Sequence, residues 1–209
     1  RQASSSGSDV PPLADQQRFW NAWLQQYRED QPLDMESRRR RDEVLARIRS
    51  LGLASPRILE VGCGNGWLSG DLATLGEVTG VDLADRMIEA ARARYPGLDF
   101  RAGDFCRMDL PADFDVVVSL ETLAFIEDQP LFMRHLAERL RPGGWLVLTT
   151  HNRYVYERRS DIPPPSLGQF RRWTSRAELR RLLRPHFHVA RLDTVLPAGD
   201  RGALRVLNS

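Results

Sequence analysis

The sequence predicts an α/β fold: a Rossmann-like, doubly wound, mostly parallel sheet with helices on both faces and an N-terminal helical lid. Three observations predict it. From residue 57 onward, short apolar runs alternate with amphipathic stretches. The runs are continuously apolar, as in Asp115–Leu120 with its three consecutive valines, which is how strands covered on both faces read. The glycine-rich and acidic residues fall at the ends of those runs, and ligands of such sheets bind beyond the carboxyl ends of the strands.

Taken in order, residues 1–13 read as a disordered lead, residues 14–52 as the helical lid, and residues 53–209 as the main domain, with an insertion at 151–173. Phe19, Trp20, Trp23 and Tyr27 recur at helical spacing and make an aromatic stripe. A second helix is expected over Glu36–Leu51, with Val44, Leu45, Ile48 and Leu51 on its apolar face and Gly52 as its stop. Strands are expected at Arg57–Val61, Val78–Val81, Leu98–Arg101, Asp115–Leu120 and Trp145–Thr150, the last after a Pro142-Gly143-Gly144 turn. Helices are expected at Trp67–Leu75, Asp85–Arg94 and Pro130–Leu140. Ser175 and Glu178 form a capping box for a helix through Arg184. His188–Leu196 and Ala203–Leu207 are the remaining strand candidates.

Composition narrows the class. The chain has 209 residues, 42% of them hydrophobic and 28% charged, as in a globular domain. No apolar run reaches the roughly 18 residues of a membrane span, and the Ser-rich start lacks the apolar stretch of a signal peptide. With two cysteines, Cys63 and Cys106, and no disulfide framework, a cytoplasmic location is expected. Every basic side chain other than the four histidines is arginine, yet the net charge is only +2, so no global pull toward nucleic acid exists.

The sharpest signal is Glu60-Val61-Gly62-Cys63-Gly64-Asn65-Gly66-Trp67. Glycines let backbone approach a ligand closely. A dinucleotide loop, G-x-G-x-x-G, would place its third glycine at position 67, which is Trp. The acid Glu60 before the loop favours a cationic ligand over a pyrophosphate. Asp82 ends the next strand, where a carboxylate can accept from both ribose hydroxyls; an ordinary helix N-cap is the plain alternative. Leu83 and Met87 then offer apolar contact to a base. Gly103-Asp104-Phe105 follows the third strand, with Asp104 placed to accept from an adenine amino group and Phe105 to pack on its ring. Ser119, Leu120 and Glu121 end the fourth strand, facing the reacting centre.

The motifs ILEVGCGNG (58–66), VTGVDLADRMIEAAR (78–92), AGDF (102–105), FDVVVSLETLAFIED (114–128) and LRPGGWLVLTT (140–150) together resemble the class I S-adenosylmethionine (SAM)-dependent methyltransferases over roughly residues 57–195. Within them the chain looks most like small-molecule enzymes of the ubiquinone-biosynthesis O-methyltransferase type. The resemblance implies SAM as cofactor, S-adenosylhomocysteine as product, and Glu60, Gly62, Cys63, Gly64, Asn65, Trp67, Asp82, Leu83, Met87, Asp104, Phe105, Ser119 and Leu120 as cofactor contacts. That group often carries Glu-x-x-Glu-His, linked to a metal, after the fourth strand. Here Ala124 and Phe125 replace the second acid and the histidine, so no metal site is expected.

His151, just beyond the fifth strand, is the first candidate for a general base, and Glu121 the second. A histidine bonded to loop backbone is the alternative. Trp20, Trp23, Tyr154 and Tyr156 are candidates for the substrate site, with plain packing as the alternative. Arg153, Arg158, Arg159, Arg171 and Arg172, in or beside the insertion, form a solvated surface or hold an acidic substrate. The expected reaction is methyl transfer to an oxygen of a small molecule such as a natural product, quinone precursor or sugar. An N-methyltransferase, an RNA or protein methyltransferase, and a SAM-binding module without catalysis are the alternatives. No Asn-Pro-Pro-Tyr follows the fourth strand and no added recognition domain is evident, so nucleic acid is not the expected partner. Nothing in the sequence addresses oligomeric state.

Overall fold

The computed structural model describes residues 10–26 and 34–194. In chain order the elements are α1 (Leu13–Gln26), α2 (Met35–Ser50), β1 (Arg57–Val61), α3 (Ser69–Leu72), β2 (Glu77–Asp82), α4 (Asp85–Arg94), β3 (Asp99–Ala102), β4 (Phe114–Leu120), α5 (Gln129–Arg139), β5 (Leu140–Thr149), α6 (Arg153–Tyr156) and α7 (Arg176–Leu183). The five strands form one parallel sheet in the order β3-β2-β1-β4-β5. The order reverses at β1, so β1 and β4 diverge there and open a crevice at their carboxyl ends.

Burial explains why these runs are strands. Ile58, Val78, Val116 and Val118 pack on one face with Val44, Leu45 and Ile48 of α2 and Leu72 of α3. Leu59, Val61 and Val117 pack on the other with Phe132, Met133 and Leu136 of α5 and Leu179 and Leu183 of α7. Helix starts are fixed locally. Asp34 caps α2 by accepting from the Ser37 backbone N–H at 2.7 Å, and Ser175 and Glu178 close the expected capping box on α7.

Four expectations need correction. The helix expected over Trp67–Leu75 is regular only at Ser69–Leu72, because the glycine loop's turns extend into its start. The Pro142-Gly143-Gly144 turn is a bulge inside β5, which runs from Leu140 with a register shift opposite Phe114–Val116 and Gly143 at φ +78°. Residues 188–194 form no strand; the rest of that candidate, and all of Ala203–Leu207, lie outside the described residues. Finally, Val10, Pro11 and Pro12 of the expected disordered lead are placed and lead into α1, with Asp15 and Gln16 donating to the Pro12 carbonyl. Tyr27, the last member of the aromatic stripe, also lies outside the described residues.

Helix α1 packs on α4. Gln17 Nε2 donates to the Leu83 carbonyl at 3.1 Å, and Asn21 Nδ2 donates to Asp85 Oδ1 at 2.7 Å. The helical N-terminal segment therefore sits at the mouth of β2. No described helix is long and apolar enough to cross a membrane.

Close approach makes one glycine testable. A Cβ on Gly76, at the entrance to β2, would stand 1.9 Å from the Pro56 carbonyl oxygen, whereas one on Gly97 would meet nothing within 4 Å. Gly76→Ala should lower unfolding free energy by about 1–3 kcal/mol, and Gly97→Ala should leave it within about 1 kcal/mol, as measured by denaturant midpoints. Equal effects at the two positions would contradict the packing described.

Candidate functional site

The crevice is built from the glycine loop outward. Val61 passes into Gly62 (φ +80°), Gly64 (φ +54°) and Gly66 (φ +76°), backbone conformations that side-chain-bearing residues rarely adopt. Gly62 is the tightest: a Cβ there would overlap the Thr122 hydroxyl oxygen at 2.0 Å. A Cβ on Gly64 would meet nothing, so the loop is crowded behind and open in front. The loop is tied to β2 at three points. Gly62 N and Cys63 N donate to the Val81 carbonyl at 2.8 and 3.1 Å, and Gly64 N donates to Asp82 Oδ2 at 2.8 Å. The other Asp82 oxygen accepts from Ala84 N at 2.9 Å. Each carboxylate oxygen keeps acceptor capacity for a second donor.

The electrostatics of the loop are one-sided. Glu60 is only 3% exposed, and its carboxylate accepts from the Ser69 hydroxyl. Burial pushes its pKa up to about 8, the Ser69 bond pulls it down, and the charge of Asp82 pushes it up again. Burial likewise raises Asp82, against the backbone donors of Ala84, Gly64 and Leu83. The Cys63 thiol is pushed well up by burial and by both acids, and its side chain packs on Ile88, Ala91 and Phe100. Neither Glu60 nor Asp82 has an ion-pair partner among the described residues. One buried and one half-buried acid, without a cation among the described residues, make this crevice a place where a cationic ligand gains most.

The other expected cofactor residues divide. Asn65, Leu83 and Leu120 are half-buried around the loop and the strand ends. Trp67 packs beside the α2–α3 core, and Met87 is buried on α4. Ser119 is fully buried, with a hydroxyl lacking any hydrogen-bond partner among the described residues. Asp104 caps the turn after β3 by accepting from Cys106 N at 3.0 Å, and its second oxygen lies 3.3 Å from Arg107 Nε. Phe105 stands edge-on to Phe132 at 5.5 Å, as a core ring.

On the acceptor side, Glu121 and His151 meet. His151 Nε2 lies 2.9 Å from Glu121 Oε2, and Thr149 Oγ1 donates to Glu121 Oε1 at 2.8 Å. Glu121 adopts φ +56°, held by its N–H bond to the Thr149 carbonyl at 3.0 Å. Burial pushes the Glu121 carboxyl up, but the His151 hydrogen bond and charge, Arg40 and Thr149 outweigh it and hold the pKa below the ordinary value. The Nδ1 of His151 is buried with no hydrogen-bond partner among the described residues.

Aromatic rings surround this pair. Tyr156 stands edge-on to His151 at 4.4 Å, Phe125 at 6.0 Å, Trp20 packs on Phe125 at 4.7 Å, Trp23 on Trp20 at 5.8 Å, and Trp173 against Tyr156 at 5.6 Å. Of the four expected substrate residues, Trp20, Trp23 and Tyr156 join this cluster. Tyr154 does not: it is 46% exposed beneath the Arg158 guanidinium. Phe125, Trp173, Thr149 and Arg40 were not singled out from sequence as site residues. Phe125 had a signal, since it occupies the position where relatives place a metal-linked residue. Among the described residues no three His, Cys, Asp or Glu side chains gather as metal ligands.

In sequence and fold the chain is similar to known methyltransferases. Residues 59–148 match the methyltransferase domain family. The ubiquinone biosynthesis O-methyltransferase of Xanthomonas campestris pv. campestris is 33% identical over 159 residues, covering 73% of this chain and 65% of that protein. Among solved structures, the SAM-bound amino pentose methyltransferase CalS10 of Micromonospora echinaspora is 31% identical with TM-score 0.50, covering 60% of this chain and 59% of that one. Magnesium protoporphyrin IX methyltransferase of Synechocystis PCC 6803, with bound SAM, shares the fold at TM-score 0.67 and 18% identity over 89% of this chain and 91% of that one. The chain spans 56–65% of the length of the first curated relatives it matches. The loop that crowds Thr122 and opens at Gly64, the acids without a cation among the described residues, and these relatives converge: residues 59–148 match a methyltransferase domain, and the chain is similar in sequence and fold to SAM-dependent methyltransferases.

Proposed function

We propose that the protein transfers a methyl group from SAM to an oxygen of a small molecule, with Glu121 and His151 acting together as the general base. The observation that carries this reading is the 2.9 Å contact of His151 Nε2 with Glu121, beside an Nδ1 that has no hydrogen-bond partner among the described residues. The relative named as an O-methyltransferase supports the choice of oxygen.

Gly62, Gly64, Asp82 and Glu60 would hold the cofactor, with Asp82 accepting from the ribose hydroxyls and Glu60 facing its positive charge. SAM supplies an electrophilic methyl group and its own leaving group. The protein's tasks are therefore to orient the acceptor and to take its proton. Glu121 fixes the His151 tautomer with the proton on Nε2, which leaves the Nδ1 lone pair free to accept the acceptor's hydroxyl proton. The acceptor oxygen forms the new bond to the methyl carbon as the carbon–sulfur bond breaks, and the proton passes to Nδ1. Thr149 and the φ of Glu121 orient the carboxylate. Trp20, Phe125, Tyr156 and Trp173 give the acceptor flat apolar surface and exclude water. Helix α1 contacts both halves of the crevice, through Gln17 on Leu83 and Trp20 on Phe125, and so has the position of a lid.

Two measurements test this reading. Asp82→Ala should weaken SAM binding by about 2 kcal/mol in calorimetry, the size of a lost charge-assisted hydrogen bond, while unfolding stays cooperative. Unchanged affinity would remove Asp82 from the cofactor site.

His151→Ala should lower single-turnover methyl transfer by ~100- to 10,000-fold and leave SAM affinity unchanged. Glu121→Gln, which keeps the shape and removes the charge, should also slow transfer. A loss below about threefold for both variants assigns the pair to packing and points to an amine acceptor.

A further inference from the structure

Building on the acceptor-pocket reading above, we propose that Arg40 is the specificity-determining residue of that pocket, and that the acceptor carries a carboxylate beside the hydroxyl to be methylated. The sequence directs attention to five arginines in or beside the insertion, and four of them have engaged cationic groups. Arg153 pairs with Glu178 at 2.7 Å. Arg159 grips Asp161 with two bonds, at 3.1 and 2.6 Å. Arg171 donates to the Pro163 carbonyl at 2.7 Å and lies over Trp173 at 4.8 Å. Arg158 donates to the Tyr154 carbonyl at 2.8 Å and covers that ring.

Arg40 differs. It lies on α2, which packs against β5, the strand leading into His151. Its side chain is only 16% exposed, so little of it is solvated. A guanidinium has five N–H donors. Among the described residues one of them reaches the Ser37 hydroxyl at 3.2 Å, and the ion pair with Glu36 is long, at 3.7 Å. Glu36 is itself shared with Arg159 at 3.8 Å. Arg40 thus has most of its donors unused among the described residues and is linked through Glu36 to Arg159, whose guanidinium lies 5.4 Å from the Tyr156 ring, and its charge also acts on Glu121.

Two facts make a carboxylate the fitting occupant. The guanidinium fork matches a carboxylate in a bidentate pair. The rings of Tyr156, Phe125 and Trp173 gather around His151, on the side of β5 to which α2 brings Arg40, so an aromatic or flat acid meets both requirements at once. An anion at Arg40 would also take up the cationic charge that otherwise favours an ionised Glu121, coupling acceptor binding to the basicity of the His151–Glu121 pair.

The test uses benzoate and its neutral counterpart benzyl alcohol as probes, titrated into the full chain saturated with S-adenosylhomocysteine and followed by tryptophan fluorescence. Benzoate should bind at least tenfold more tightly than benzyl alcohol. Arg40→Gln should abolish that preference, Arg40→Lys should restore part of it, and benzyl alcohol affinity should stay within twofold throughout. Equal affinity for the two probes in the parent overturns the proposal. So does a preference that survives Arg40→Gln, or an equal loss of both probes in that variant. Failure of the parent to bind S-adenosylhomocysteine would instead strike the methyltransferase reading itself, which separates the two failures.

Discussion

Two carboxyl groups are folded into the carboxyl edge of the sheet without a cation beside them among the described residues, and the rest of the site depends on that. Glu60 enters the sheet interior because β1 is central and covered on both faces, so any residue at its fourth position is buried. Asp82 is drawn in by the loop's own backbone, through the Gly64 and Ala84 N–H groups. Ionising both in a low-dielectric setting is unfavourable, and burial raises both pKa values accordingly. A ligand bringing positive charge relieves that penalty. The same loop without Glu60 would be a neutral glycine turn.

The acceptor side solves a different problem with the same elements. Glu121 is half-buried, and its partners sit within hydrogen-bond reach, so its pKa moves down. Glu60 and Glu121 contrast in their partners: among the described residues Glu60 has no cation, whereas Glu121 has an imidazole, a hydroxyl and a guanidinium acting on it. One sheet edge thereby holds the glycine loop with its acids and the Glu121–His151 pair, and α1 touches the surroundings of both.

The glycine loop and its tie to Asp82 were legible in sequence because their chemistry is local. Gly62, Gly64 and Gly66 announce backbone that a side chain would forbid, and Asp82 follows at the end of the next apolar run. Val116, Val117 and Val118 announce a strand covered on both faces. The acceptor half was legible only in part, because it is assembled from distant segments. Glu121 and His151 were nameable separately, but their contact needed the β4–β5 register that sets Leu120 against Thr149. Arg40 sits in a run of four arginines, where nothing in one dimension separates a donor aimed at a crevice from a solvated neighbour. Phe105 was placed at a base-binding position, yet α5 claims its ring for the core. The bulge in β5 was invisible because Pro-Gly-Gly reads as a turn wherever it occurs.

The most direct test of the acid pair is the number of protons released when SAM binds, measured by calorimetry at pH 7 in buffers of different ionisation enthalpy. Without ligand, Glu60 holds its proton up to about pH 8. Its raised folded value means that its contribution to stability is complete below the ordinary carboxyl pKa and is lost as pH rises through about 8. A bound cation favours the ionised form, so SAM affinity should rise from about pH 6 to 8, with on the order of one proton released at pH 7. Glu60→Gln should release none and bind SAM with no such dependence. Binding that is flat in pH and releases no proton from the parent would contradict the account.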